Sequence, residues 1–142
     1  MNLAIWDIES SSASTDFGSI IEIGGILIDE NFKEKDRFNL RCRLPEGEIP
    51  QCMALIVNKT SVDLLTKTNL SHYQMLGEVE KIFKKWSPAI FLGWSNIGFD
   101  DEMIRKEFFR GIRYPYLTNT SPNKRHDGLN ICLLYTSDAA DE

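Results

Sequence analysis

Two carboxylates near the start of the chain have the residue types and the spacing of metal ligands. Asp7 and Glu9 follow an apolar run over residues 3–6, and the pattern predicts a buried strand over residues 3–8. Side chains two residues apart in a strand lie on the same face, so both carboxylates project together. Two close anions repel each other unless a cation lies between them, so the pair indicates a site for hard divalent cations, which prefer oxygen ligands.

A second polar group follows a later apolar run, at residues 89–94. It consists of Asn96, Phe99 and Asp100, and it opens a predicted helix over residues 100–110. Ligand sites in α/β sheets form beyond the carboxyl ends of strands, so neighbouring strands would bring these acids together with Asp7 and Glu9. Taken alone, the first pair is explained by a solvated strand end and the second group by compensation of the helix dipole. Their occurrence together favours a shared site.

Composition bounds the class of protein. The chain has 142 residues, which indicates one domain, and a net charge of −5, which argues against a strongly basic coat for nucleic acid but not against an enzyme that acts on it. Cys42, Cys52 and Cys132 are odd in number and widely spaced, which favours a reducing cytoplasm and disfavours structural zinc. We identify no signal peptide and no apolar run of 18 residues, so we expect a cytoplasmic protein without a membrane span.

Strand patterns here and helix patterns further along the chain together predict an α/β layout. Strands over residues 3–8, 20–29 and 37–44 are joined by short connections, which indicates an antiparallel meander. The run at residues 89–94 predicts a further, buried strand.

The helices have recognisable start signals. Thr60 is a candidate N-cap of a short helix, and Ser71 with Gln74 has the form of a capping box. Apolar residues then recur at steps of three and four up to Trp86, and the helix is expected to end before Pro88.

The order of the acidic motifs resembles that of the DEDD 3′–5′ exonucleases, which have a ribonuclease-H-like fold. The first motif of that family, Asp-x-Glu on strand one, is matched by Asp7 and Glu9. The second, Asn-x-x-Phe-Asp, is matched by Asn96, Phe99 and Asp100.

Within that family the chain most resembles the bacterial exonuclease I group. The segments at residues 93–116 and 124–130 carry this likeness, the second being similar to the start of a helix there, and the resemblance covers residues 3–131. It implies an α/β, ribonuclease-H-like fold: a three-stranded antiparallel meander extended by a parallel strand and flanked by helices, with the last helix missing.

The resemblance also implies catalysis by two Mg²⁺ or Mn²⁺ ions, about 3.5–4 Å apart, on a terminal phosphodiester. Asp7 would bind both ions, Glu9 would bind one ion and face the terminal sugar, and Asp100 would complete the near shell of ligands. These three residues are the expected catalytic and metal-binding residues.

Three further residues are expected to bind substrate by the same resemblance. The backbone amide of Ser10, where the family usually has Thr, would contact the terminal 3′ hydroxyl. Asn96 and Phe99 belong to the second motif, and Phe99 is expected to pack beneath the site without taking part in chemistry.

The third motif of the family is missing. It supplies a general-base His, or a Tyr in one subgroup, and a fourth acid about five residues later, but the only histidines here are His72 and His126. His72 opens a surface helix and His126 directly precedes Asp127, which is the wrong spacing. We therefore expect no general base in this chain and little or no activity.

The end of the sequence accounts for that gap. Residues 132–142 resemble the conceptual translation of a transposon-end adaptor used in sequencing libraries. On this interpretation residues 1–131 are a partial exonuclease domain and residues 132–142 are an artefactual tail; the alternative is a genuine, disordered acidic tail.

The leading prediction is a metal-dependent exonuclease acting at the 3′ end of single-stranded DNA, as a monomer. Arg41 and Arg43 on one strand face could track the DNA backbone, or could serve only solubility. Another ribonuclease-H-like nuclease, such as one acting on RNA–DNA hybrids, and a non-catalytic nucleic-acid-binding module remain alternatives.

Overall fold

A computed structural model describes residues 1–138 of the chain. Five strands form one sheet: β1 (Asn2–Ser10), β2 (Ile20–Ile28), β3 (Glu34–Arg41), β4 (Ala89–Gly93) and β5 (Lys124–Asp127). The strand order is β3-β2-β1-β4-β5, with antiparallel pairs among the first three strands and parallel pairs from β1 to β4 and from β4 to β5. The predicted meander with a parallel extension is confirmed, and a second parallel strand is added.

Helices connect and flank these strands. They are α1 (Cys52–Val57), α2 (Val62–Lys67), α3 (His72–Trp86), α4 (Asp100–Arg110) and α5 (Gly128–Asp138). The predicted capping box opens α3: the Ser71 side chain accepts from the Gln74 backbone amide, and the Gln74 side chain accepts from the Ser71 amide. Within residues 1–138, no helix is long and apolar enough to cross a bilayer.

The core lies between the sheet and the apolar faces of α3 and α4. Phe83 of α3 is fully buried, and its ring centroid lies 5.6 Å from that of Trp6 and 5.0 Å from that of Phe91, both in edge-on arrangements. Trp6 belongs to the set of β1 side chains that alternates with Asp7 and Glu9. Packing of the core therefore fixes the sheet face on which the two carboxylates lie.

The structure corrects several predicted boundaries. β3 covers Glu34–Arg41 rather than residues 37–44, α2 is capped by Ser61 rather than Thr60, and α1 was not predicted. Residues 124–127 form β5, and helix α5 begins only at Gly128, because these residues pair in parallel with β4. α5 ends at Asp138, and residues 139–142 lie outside the described part of the chain. The predicted division between residues 131 and 132 stays a prediction.

Candidate active site

Strand β1 brings Asp7 and Glu9 to the same side of the sheet. The β1 side chains that alternate with them are buried in the core, so the two carboxylates project from the opposite face, with Asp7 exposed and Glu9 half-buried. Opposite them on β2 lie Gly24 and Glu22. The predicted shared orientation is present, but the strand is buried on one face only.

Asp100 is the first residue of α4 and joins these carboxylates in space. It is 7% exposed. Burial, followed by the negative charges of Asp7, Asp101 and Glu9, raises the pKa of its carboxyl to about 7. Burial also raises the pKa of Glu9, with the charge of Asp7 as the second cause. The three predicted metal ligands are thus close enough to repel one another.

Their chemistry fits a hard divalent cation. Burial and the charges of neighbouring carboxylates destabilise the ionised forms of Glu9 and Asp100. A positive ion among the three carboxylates would stabilise them, and oxygen is the ligand that Mg²⁺ and Mn²⁺ prefer. In the arrangement described for residues 1–138, no three His, Cys, Asp or Glu side chains form a ready-made ligand cluster. The residues therefore fit the ion in donor type and charge, without a preformed coordination shell.

Arg41, whose charge acts on Glu9, is engaged within the fold. Arg41 forms an ion pair with Glu22, and its Nη1 donates to Thr60 Oγ1 at 3.3 Å. Its charge favours the ionised form of Glu9 and so partly opposes the effect of burial on the pKa of that residue. Arg43 donates from Nη1 to the carbonyls of Thr68 and Asn69, each at 2.6 Å. Both arginines therefore stabilise connections between segments.

A cleft of about 300 Å³ adjoins Glu9, and we call it the Glu9 cleft. Ser10 and Phe99 line it, as do Met53 and Val57 from α1. Ser10 is largely buried, its hydroxyl donates to the Ser12 carbonyl at 2.7 Å, and its own carbonyl accepts from Asn58 Nδ2 at 3.0 Å. Two of the predicted substrate-binding residues thus border a cleft that also borders a predicted metal ligand.

Asn96 has different surroundings from the other two. It is fully buried, its Nδ2 donates to Asp101 Oδ2 at 3.1 Å, and its carbonyl accepts from the amides of Phe99 and Asp101. A Cβ at Gly93 would lie only 2.6 Å from the Asn96 Cβ, so the neighbouring strand end needs glycine there. In this structure Asn96 shapes the turn before Asp100 and does not face the cleft.

The two histidines, which were not expected to act as the general base, lie in different surroundings. His72 Nε2 lies 3.0 Å from Oε2 of the buried Glu107, which links α3 to α4. His126 is exposed on β5, opposite Leu92 of β4. The expectation that neither acts as the general base stays a prediction.

Two further acids whose charges act on Asp100 were not among the predicted site residues. Asp101 is 3% exposed, and burial raises the pKa of its carboxyl to about 6. Asp127 accepts backbone amides of two separate segments, Ser95 and Leu129. The only sequence signal for Asp127 was an acid directly before a helix, the usual pattern of an N-cap. Helix α1 was missed because six residues are too few to show a period.

Comparison with known proteins agrees with the fold. No family model matches the chain. The chain is 23% identical over 133 residues to exodeoxyribonuclease I of Buchnera aphidicola subsp. Schizaphis graminum. This alignment covers 92% of this chain and 27% of the relative. E. coli exonuclease I in complex with a dT13 oligonucleotide matches with a TM-score of 0.87 and 19% identity, over 95% of this chain and 29% of that chain.

A second solved structure, an ExoI/SSB-Ct complex, matches with a TM-score of 0.88 and 19% identity, over 96% of this chain and 30% of that chain. The chain thus spans less than a third of the length of these relatives. The resemblance to exonuclease I inferred from the two acidic motifs is confirmed, and so is the ribonuclease-H-like fold class.

Proposed function

We propose that the chain is part of a metal-dependent 3′–5′ exonuclease that acts on single-stranded DNA. The observation that carries the proposal is the meeting of Asp7, Glu9 and Asp100, three mutually repelling carboxylates, on a fold similar to that of exonuclease I. The similarity in sequence to exodeoxyribonuclease I supports the same substrate class.

The proposed roles of the residues follow from their positions. Asp7, Glu9 and Asp100 would hold two divalent ions, Mg²⁺ or Mn²⁺. When bound, such ions supply a nucleophilic water and stabilise the leaving oxygen of a phosphodiester. The Glu9 cleft would receive the terminal nucleotide, with the Ser10 backbone beside the sugar and Phe99 as part of the apolar wall. Asn96 would act by holding the turn that carries Asp100.

The protonation state of Asp100 governs this site. With a pKa of about 7, a substantial fraction of its carboxyl carries a proton near neutral pH. A metal ligand must be ionised, so ion binding would release that proton. The affinity for the metal ion should therefore rise with pH through the neutral range.

This chain by itself is proposed to have little or no activity. It offers no histidine in a suitable place, and a general base typically contributes about 10²–10⁴-fold to rate. We also propose that residues 132–142 are derived from the adaptor. The underlying nucleotide sequence tests this, and a DNA sequence unlike the adaptor would refute it.

The proposed partner is the 3′ end of single-stranded DNA, bound by a monomer in the cytoplasm. The structural neighbour in complex with a dT13 oligonucleotide supports the DNA partner, and the free Cys42 and Cys52, which lie outside the proposed adaptor-derived tail, are consistent with a reducing compartment. Light scattering of the purified chain would test the oligomeric state.

The experiment that tests the function has a binding part and an activity part. Calorimetric titration with Mn²⁺ should show binding to this chain, and Asp7→Ala should abolish it. The longer gene product should degrade single-stranded DNA from the 3′ end in the presence of Mg²⁺, and Asp7→Ala should stop cleavage while DNA binding persists. Unchanged cleavage would refute the assignment, whereas DNA binding without any cleavage would favour a non-catalytic module. Preference for RNA–DNA hybrids would favour another ribonuclease-H-like nuclease.

A further inference from the structure

Asp127 lies at the end of β5, and its carboxylate joins two segments of the chain. Its Oδ1 accepts from the Ser95 amide at 2.9 Å and from the Leu129 amide at 2.9 Å. The first amide belongs to the turn between β4 and α4, and the second belongs to the first turn of α5. Asp127 is 7% exposed, so these bonds are largely shielded from water.

The turn whose Ser95 amide donates to Asp127 has an unfavourable backbone conformation. Ser95 has a φ of 54°, in the left-handed region that residues other than glycine rarely occupy. Such a conformation costs free energy and persists only where surrounding contacts fix it. The hydrogen bond from its own amide to Asp127 is one such contact.

Gly128 provides a second contact between the same two segments. A Cβ at this position would lie 3.2 Å from the Trp94 ring and 3.3 Å from the Gly93 carbonyl oxygen. The absence of a side chain therefore lets the end of β5 approach the end of β4 closely. Residues 127 and 128 thus touch the turn at two points.

The turn leads directly to Asp100. After Ser95, the Asn96 carbonyl accepts the amides of Phe99 and Asp101, which frame the first residue of α4. A displacement of Ser95 would be carried through this short hydrogen-bonded segment to the Asp100 carboxylate.

Asp127 is chemically suited to a structural task rather than to metal binding. Burial tends to raise the pKa of its carboxyl, but hydrogen bonds from the backbone amides of Ser95, Leu129, Ile97 and Asn130 outweigh burial and lower it. The group is therefore an anion whose charge is already matched by backbone amides.

We propose that Asp127 is a positioning residue, which fixes the turn between β4 and α4 and thereby holds Asp100 beside Asp7 and Glu9. This role rests on the proposed function, because only that function makes Asp100 a metal ligand. Groups that orient metal ligands from behind typically change metal affinity by about 10–100-fold when removed.

The test compares Asp127→Ala with Asp127→Asn by calorimetric titration with Mn²⁺. Asparagine keeps an oxygen that can accept the Ser95 and Leu129 amides, and alanine removes it. We expect affinity to fall at least about tenfold in the alanine variant and to be largely retained in the asparagine variant. Asp29→Ala is the matched control, because Asp29 Oδ1 also accepts two backbone amides, Asn31 at 2.9 Å and Lys33 at 3.0 Å, in an exposed turn. It should leave Mn²⁺ affinity unchanged.

A second measurement does not depend on metal. Amide exchange followed by NMR should be faster at Ser95 in Asp127→Ala than in the unmodified protein, and unchanged within α3. If Asp127→Ala does not fold, Gly128→Ala replaces it, since its added Cβ presses on Trp94 and should weaken Mn²⁺ binding in the same way.

Three results would overturn the proposal. Unchanged Mn²⁺ affinity in Asp127→Ala would show that Asp100 needs no such support. Equal losses in the alanine and asparagine variants would mean that Asp127 acts through its charge. If the unmodified protein binds no Mn²⁺, the proposed function fails, and the exchange measurement then decides alone: unaltered exchange at Ser95 in Asp127→Ala would refute the positioning role.

Discussion

Replacing Asp100 with asparagine should stabilise the metal-free protein while it removes a metal ligand. The carboxyl has a pKa of about 7 in the folded protein, against 3.8 for an unperturbed aspartate, because of burial and the charges of Asp7, Asp101 and Glu9. The folded state therefore holds the proton more tightly than the unfolded state does. The free energy of unfolding falls as pH rises from about 4 to about 7, and it stays low above that range.

The size of the effect follows from the same two values. The interval between 3.8 and about 7 corresponds to about 4 kcal/mol if fully expressed. Screening by water at the carboxyl end of the strands reduces the expected change in the free energy of unfolding to about 2 kcal/mol. Asparagine loses the interaction of a negative charge with the N-terminus of α4, which is worth about 0.5 kcal/mol and does not reverse the sign.

Thermal unfolding in EDTA, followed by circular dichroism, measures this directly. At about 3 °C per kcal/mol for a domain of this size, Asp100→Asn should raise the Tm by about 6 °C near pH 8. Near pH 4.5 the folded-state carboxyl is protonated and the unfolded-state carboxyl is only partly ionised, so the gain should fall to about 3 °C or less. Added Mn²⁺ should raise the Tm of the unmodified protein more than that of the variant.

Asp63→Asn is the matched control, because Asp63 also lies in the first turn of a helix, α2, but its side chain is 74% exposed. It should change the Tm little at either pH. A lower Tm for Asp100→Asn near pH 8, or the same difference at both pH values, would refute the argument that Asp100 is destabilised by burial and neighbouring charge.

Three further outcomes are expected. Mn²⁺ should bind about tenfold more weakly near pH 6 than near pH 8, because most of the Asp100 carboxyl is protonated at the lower pH; calorimetry showing equal affinities would contradict this. Phe83→Ala should lower the free energy of unfolding by about 3–5 kcal/mol in a urea titration, because the ring is fully buried between Trp6 and Phe91; a loss below about 1 kcal/mol would mean that the core is packed differently. Gly93→Ala should cost about 1–3 kcal/mol in the same assay, because the new Cβ would lie 2.6 Å from that of Asn96; unaltered stability would show that the turn yields freely.

Local patterns were sufficient for the elements that carry the three acids. Alternation along β1 placed Asp7 and Glu9 on one face, and the helix predicted over residues 100–110 has the bounds of α4. The capping box at Ser71 predicted the start of α3. These signals lie within a few residues of the structure that they specify, so no knowledge of the rest of the chain is needed to use them.

Short elements stabilised by distant partners could not be predicted in that way. Helix α1 has only six residues, and β5 has only four, and it exists because β4 offers it a parallel partner. The burial of Asn96 likewise depends on the close approach of the turn to Gly93. In each case the decisive contact is made in space, and the local sequence carries little trace of it.

Residue types and spacing were enough to identify Asp7, Glu9 and Asp100 as candidate ligands and to relate their order to the motifs of 3′–5′ exonucleases. The ionisation of Asp100 depends on the folded structure, because burial and charges from β1, α4 and β5 together raise its pKa. The folded structure also decided the hydrogen bonds of Asp127, whose carboxylate accepts the amide of Ser95, 32 residues away in the chain, as well as the nearby amide of Leu129. Residue type and spacing are local properties, whereas electrostatic energy and hydrogen bonding depend on what the fold brings near.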